Sequence, residues 1–221
     1  MIAVLQGRVA SARLPGKGFF TFFGETIWER MCRIAADIAG VDEVVFATGS
    51  GPQNEFIRPF VERRGARWFA GDENDVLGRF LGAVDGYSGA YLLRITCDNY
   101  LIQPDVVEGL IAAVDAAGAD YGYVAPLSHF SGEVVRIDAL RANRNARPSP
   151  QAREHVTFDV RADPSLAKAV LPADYLGLDH ERKLTLDTLD DMLTMKKLEL
   201  TRPDLEPLRC LDALRAVCAR A

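Results

Sequence analysis

Three cations crowd the loop that follows the apolar opening of this chain. Arg8, Arg13 and Lys17 lie within LQGRVASARLPGK, residues 5–17, with Gly7 and Gly16 among them. Guanidinium groups grip phosphate oxygens in pairs and an ammonium adds a point charge. The run therefore has the chemistry of a polyphosphate cradle, although a solvated basic loop has the same composition. It is not a P-loop, because Gly18 follows Lys17 where Ser or Thr is required, and it is not a GxGxxG fingerprint. Two acidic positions could work opposite it. Asp98, in RITCDNYLI (residues 94–102), follows an apolar strand. A carboxylate there either holds Mg²⁺ against a triphosphate or forms a turn. Asp187, in LTLDTLDDM (residues 184–192), is read as the end of a short strand, and Asp190 or Asp191 as the cap of the helix that follows. REHVT, residues 153–157, carries His155, which is either a structural histidine or a base or ligand. With His129 and His180 it makes no zinc spacing. No G-x-S-x-G elbow and no cysteine in a nucleophile context is present.

The elements that must carry these residues alternate. Residues 1–5 are continuously apolar, as in a strand buried on both faces. Residues 26–39 place Ile27, Met31, Ile34, Ala35 and Ile38 at helical spacing, with Gly40 as a stop. Strands follow at 43–48, 67–70, 91–97 and 120–124. Helices are expected at 54–64, 75–84 and 104–117, with Asp75 as an N-cap and Pro104 in a first turn. This order predicts a mainly parallel sheet with helices on both faces. The loops at residues 5–17 and 98 then emerge at its carboxyl edge, where open α/β sheets bind ligands. The rhythm breaks at about 126–164, which reads as a small inserted subdomain with a short helix and one or two strands. A strand at 183–186, a helix at 189–200 and an amphipathic helix at 208–219 complete a single domain over 1–221.

Composition narrows the function. A net charge of -5 argues against a nucleic-acid partner. No apolar run approaches the ~18 residues of a membrane span, and no signal-peptide pattern opens the chain. Cys32, Cys97, Cys210 and Cys218 lie outside any CxxC pair, as expected of reduced thiols in a cytoplasmic protein.

Six segments in order resemble the acylneuraminate/KDO cytidylyltransferase superfamily, and in particular its spore-coat polysaccharide biosynthesis branch. They are QGRVASARLPGK (6–17), FATG (46–49), FAGDENDVLGRF (69–80), RITCDNYLI (94–102), REHVT (153–157) and LTLDTLDD (184–191). The resemblance implies a nucleotide-diphosphosugar-transferase-like fold and transfer of CMP from CTP to a small acidic, sugar-like acceptor, with release of pyrophosphate. It implies that Arg8, Arg13 and Lys17 clamp the triphosphate and that Asp98 and Asp187 hold Mg²⁺. Lys17, Arg13, Asp98 and Asp187 would be the catalytic set. Leu5, Gly7, Gly16, Thr48 and Arg79 would complete the nucleotide site, and Tyr100, Arg153, Glu154 and His155 the acceptor site. The insertion would contribute to a homodimer. Three positions depart from the family pattern: Gly7 replaces Ala, Ala12 replaces Thr, and Tyr100 replaces Pro. Two other readings stay open. One is a glycosyltransferase with a sugar-nucleotide donor, for which DNY at 98–100 is a poor DxD motif. The other is a non-catalytic nucleotide-binding assembly subunit.

Overall fold

The computed structural model describes residues 1–125, 128–172 and 185–203. Seven strands form one sheet in the order β5-β4-β1-β6-β8-β7-β9. These are β1 (Ile2–Gln6), β4 (Glu43–Gly49), β5 (Arg67–Gly71), β6 (Tyr91–Thr96), β7 (Tyr121–Ala125), β8 (Glu133–Arg136) and β9 (Lys168–Pro172). β2 (Thr21–Phe22) and β3 (Glu25–Thr26) pair apart from it. β1, β4, β5 and β6 run parallel, β8 runs antiparallel to both β6 and β7, and β7 is parallel to β9.

Alternation along β1 divides the core. Ala3 and Leu5 join one cluster with Met31, Ile34 and Leu110, whereas Ile2 and Val4 join another with Leu77, Phe80 and Leu140. Helices cover each face accordingly. α1 (Ile27–Asp37), α4 (Pro104–Ala117) and α8 (Leu189–Thr201) bury residues in the first cluster. α3 (Val76–Ala83), α5 (Ile137–Asn145) and α7 (Phe158–Ala162) bury residues in the second. α1 opens on a capping box: Thr26 caps it and Glu29 reaches back to the cap. Among the described residues no helix is long and apolar enough to cross a membrane.

Four elements differ from the sequence expectation. Pro52–Ile57 is a 3-10 helix, and only Arg58–Glu62 (α2) is α-helical. Pro59 has no N–H to offer the Glu55 carbonyl, which accepts from Arg58 one residue earlier and tightens the turn. Among the described residues, the stretch read as an insertion carries three α-helices, α5, α6 (Pro150–His155) and α7, besides a 3-10 turn at Ser128–Phe130, and its strand β8 enters the main sheet. Val134 faces one core and Val135 the other, so this short strand is buried on both sides. β9 carries little strand signal in its sequence, because it is an edge strand with one buried residue, Ala169, and ends on Pro172. Finally, Thr185–Asp187 is irregular rather than a strand, while residues 183–184 and the helix expected at 208–219 lie outside the described residues.

Candidate active site

Register places Gln6 of β1 beside Ala47 and Thr96, so β1, β4 and β6 end at one level. A cleft of about 690 Å³ opens along that edge. Its first wall is the cationic loop. Val9 organises it: its N–H donates to Asn54 Oδ1 at 2.9 Å, and its carbonyl accepts from Ser11 and Gly16 at 3.0 Å. Gly16 turns the chain at φ 70°, a conformation that costs glycine little. Gly18 then lies flat on Trp28, where an added Cβ would stand 1.9 Å from ring carbons. Lys17 is held between these two glycines.

Its ammonium donates to Asp98 Oδ2 at 3.0 Å and to Asp187 Oδ1 at 3.1 Å. Arg13 Nη2 also meets Asp187 Oδ1, at 3.0 Å. The catalytic set expected from the sequence therefore converges on one point. Asp98 gets there by following β6, whose end is tied to β1 by Cys97 N–H donating to the Gln6 carbonyl. Asp187 gets there by a route the sequence did not suggest. Leu186 N–H donates to the Asp98 carbonyl at 2.9 Å, drawing the two acidic residues together through backbone. Asp191 Oδ2 then accepts from the N–H groups of Asp187 and Thr188, at 2.9 and 2.8 Å. Thr188 is the cap of α8, and Asp191 is its capping-box partner rather than the cap itself. Asp190 is exposed.

Arg8, Gly7, Arg79, Arg153 and Glu154 also line this cleft. Arg79 is 3% exposed, with Nη1 on the Asp72 carbonyl and, among the described residues, no partner for Nε. Burial pushes its pKa down, Glu73 pulls it back up, and Arg8 presses it down further. Leu5 and Thr48 are fully buried beneath the edge and line neither cleft, so they support the floor. Tyr100 lines neither of these two clefts; it is 1% exposed and packs edge-on against Phe22 at 5.3 Å. The apolar neighbours Leu101 and Ile102 draw it into the core.

A second cleft of about 400 Å³ shares Thr96 and Asp98 with the first, and His155 lines it together with Arg94, Glu133 and Arg161. Its floor is a polar network that the sequence did not reveal. Glu133 on β8 faces Arg94 across the strand pair at 2.5 Å and accepts from Thr157 at 3.0 Å and from the Tyr121 hydroxyl. Burial raises the Glu133 pKa, but the Arg94 charge and the three hydrogen bonds outweigh it and leave it below the ordinary value. Val156, buried and β-branched at φ 53°, turns the chain between His155 and Thr157. That backbone costs on the order of 1–3 kcal/mol and is characteristic of functional sites.

Among the described residues no group of three or more His, Cys, Asp or Glu could hold a metal. Two carboxylates around one ammonium nevertheless make a place for a cation. They suit Mg²⁺, which takes one or two protein carboxylates and completes its shell with phosphate and water oxygens.

Fold and cleft together define the class: an α/β protein of the nucleotidyltransferase fold, with a cation-lined cleft at the carboxyl edge of its sheet. Within that class the chain belongs to the Cytidylyltransferase family, whose profile matches residues 2–211. It is 46% identical over 226 residues to the 3-deoxy-manno-octulosonate cytidylyltransferase of Maricaulis maris, covering 96% of this chain and 84% of the relative. It is 29% identical over 225 residues to the spore coat polysaccharide biosynthesis protein SpsF of Bacillus subtilis, covering 97% of this chain and 93% of the relative. A solved cytidylyltransferase from Leptospira borgpetersenii superposes with a TM-score of 0.83 at 20% identity, covering 98% and 93% of the two chains, and shares the fold.

Proposed function

We propose that this single-domain chain transfers CMP from CTP to an acidic sugar or sugar-like acceptor and releases pyrophosphate, as a Mg²⁺-dependent homodimer in the cytoplasm. The observation that carries the reading is the meeting of Lys17, Arg13, Asp98 and Asp187 at one point of a carboxyl-edge cleft. Arg8, Arg13 and Lys17 neutralise and orient the triphosphate. Asp98 and Asp187 would hold Mg²⁺, which supplies charge neutralisation and polarisation of phosphate oxygens. Asp98 faces both clefts, so an acceptor in the second cleft adjoins a nucleotide in the first. His155, Arg94 and Arg161 give that second cleft donors for an acceptor carboxylate. The acceptor oxygen attacks the α-phosphorus, the bond to the pyrophosphate oxygen breaks, and catalysis consists of positioning and electrostatic stabilisation.

The test is pyrophosphate release from CTP, UTP, GTP and ATP against a panel of acidic sugars. Release with CTP and one acidic sugar is the expected result. Sugar-nucleotide consumption without pyrophosphate release would instead make the chain a glycosyltransferase, and CTP binding without turnover would make it a binding subunit.

The Asp191 arrangement adds a prediction in the same assay. Asp191→Ala removes half of the capping box and the one carboxylate oxygen that accepts from the backbone N–H groups of both Asp187 and Thr188. A loss of about 1 kcal/mol in a thermal melt is expected, with a turnover loss larger than that of Asp190→Ala. Equal, small losses in the two variants would reduce Asp191 to a helix cap.

A further inference from the structure

The first cleft has two chemically different ends. One holds Lys17, Arg13, Asp98 and Asp187. The other, at the carboxyl ends of β4 and β5, holds Glu73, Asn74 and Arg79. We propose that Glu73 reads the exocyclic amine of the nucleobase, so that this end of the cleft selects an amino-bearing pyrimidine over its oxo counterpart. The proposal rests on the CTP reading above.

Four observations carry it. The Glu73 carboxylate is seated on the sheet edge. A Cβ on Gly49 would lie 1.7 Å from Oε2 and 2.4 Å from Cδ, so the missing side chain at the end of β4 is what admits the carboxylate. That seat is tied to the phosphate loop. Asn54 Nδ2 donates to the Gly49 carbonyl at 2.9 Å and approaches Glu73 Oε2 at 3.5 Å, while Asn54 Oδ1 accepts from Val9 N–H. Glu73 is not consumed by structure: among the described residues that 3.5 Å approach is its one hydrogen bond, and no cation lies within the 4.0 Å of an ion pair. Arg79 lines the same end, buried, with an Nε that has no partner among the described residues.

An ionised carboxylate accepts hydrogen bonds only, and a guanidinium donates only. Cytosine offers a matching edge: the N4 amine donates, and N3 and O2 accept. A carboxylate accepting from cytosine N4 is a standard pairing. Uracil turns the first two groups round. Its O4 would put lone pairs against the Glu73 carboxylate, and its N3–H would face donors. Glu73 beside Arg79 therefore discriminates between the two bases by charge and donor pattern rather than by size.

Trp28 lines the first cleft, so its fluorescence reports nucleotide binding in the full chain with Mg²⁺ present, without need of an acceptor. CTP is expected to bind more tightly than UTP. In Glu73→Gln the amide can donate to O4, and the CTP-to-UTP affinity ratio should fall about 10- to 100-fold. Glu73→Ala should weaken CTP without strengthening UTP. An unchanged ratio in a variant that still binds CTP overturns the proposal and leaves the cytidylyltransferase reading intact. A change confined to CTP against dCTP assigns Glu73 to the ribose and also overturns it. A parent protein that binds neither CTP nor UTP overturns both.

Discussion

Asp98→Asn is expected to fold like the parent protein and to lose about two to three orders of magnitude in turnover, the loss typical of removing one electrostatic contact to a transition state. Asn keeps the shape of the side chain and an oxygen that can accept from Lys17, and the Asp98 side chain is 31% exposed, so stability changes little. Removed is half of the negative charge around the Lys17 ammonium. A cation bound there would be held more weakly, so activity should return in part at high Mg²⁺. Asp187→Asn should behave alike in turnover but cost more stability, because its side chain is 11% exposed and serves both Arg13 and Lys17. Rates measured across a Mg²⁺ series, alongside thermal melts, decide the matter. If Asp98→Asn turned over within a few-fold of the parent at every Mg²⁺ concentration, Asp98 would be a turn former and the mechanism would lose its central member.

Gly18→Ala should damage stability and catalysis together. The new methyl would stand 1.9 Å from Trp28 Cε2 and Cζ2. The ring cannot withdraw: it is 1% exposed and sits edge-on to Phe46 at 5.4 Å and Phe19 at 6.2 Å. The loop must lift instead, at about 1–3 kcal/mol for overpacking of this kind. Lys17, the preceding residue, lifts with it, and a displacement of ~1 Å can cost on the order of 10² in rate. Gly16→Ala is the control. Its positive φ makes it strained, but its nearest contact would be Phe19 at 3.8 Å, so a cost of about 1 kcal/mol is expected from backbone alone. A double variant with Trp28→Phe should recover part of the Gly18→Ala loss, because contacting residues couple. Additive losses in that cycle would remove Trp28 as the cause.

Trp28 also explains a departure from the family pattern. The family places Ala at position 7, where this chain has Gly. A Cβ at Gly7 would meet Trp28 Cζ3 at 2.5 Å and Phe46 Cζ at 2.7 Å. The indole occupies the volume that the alanine methyl would need, so glycine is required here. Tyr100, the departure beside Asp98, is absorbed by the core against Phe22 and leaves the carboxylate undisturbed.

The alternation of buried strands and capped helices was legible in the chain because each rests on contacts within a few residues. Asp75 caps its own helix, and β1 is apolar from Ile2 through Leu5. The placement of the strand-end residues was legible too: Asp98 and the loop through Lys17 each follow an apolar run, and parallel strands bring their ends to one edge. Tertiary structure alone decided the features that depend on partners far away in sequence. Asp187 is positioned by a backbone bond to Asp98 and by Asp191, not by a strand. β8 enters the sheet because Val134 and Val135 find two separate cores, and Glu133 finds Arg94 across the strand pair. Glu73 sits over a glycine that only strand pairing brings beneath it. Local propensity cannot encode such meetings, because the free energy that selects them is gained only when distant segments bury surface and pair charges together.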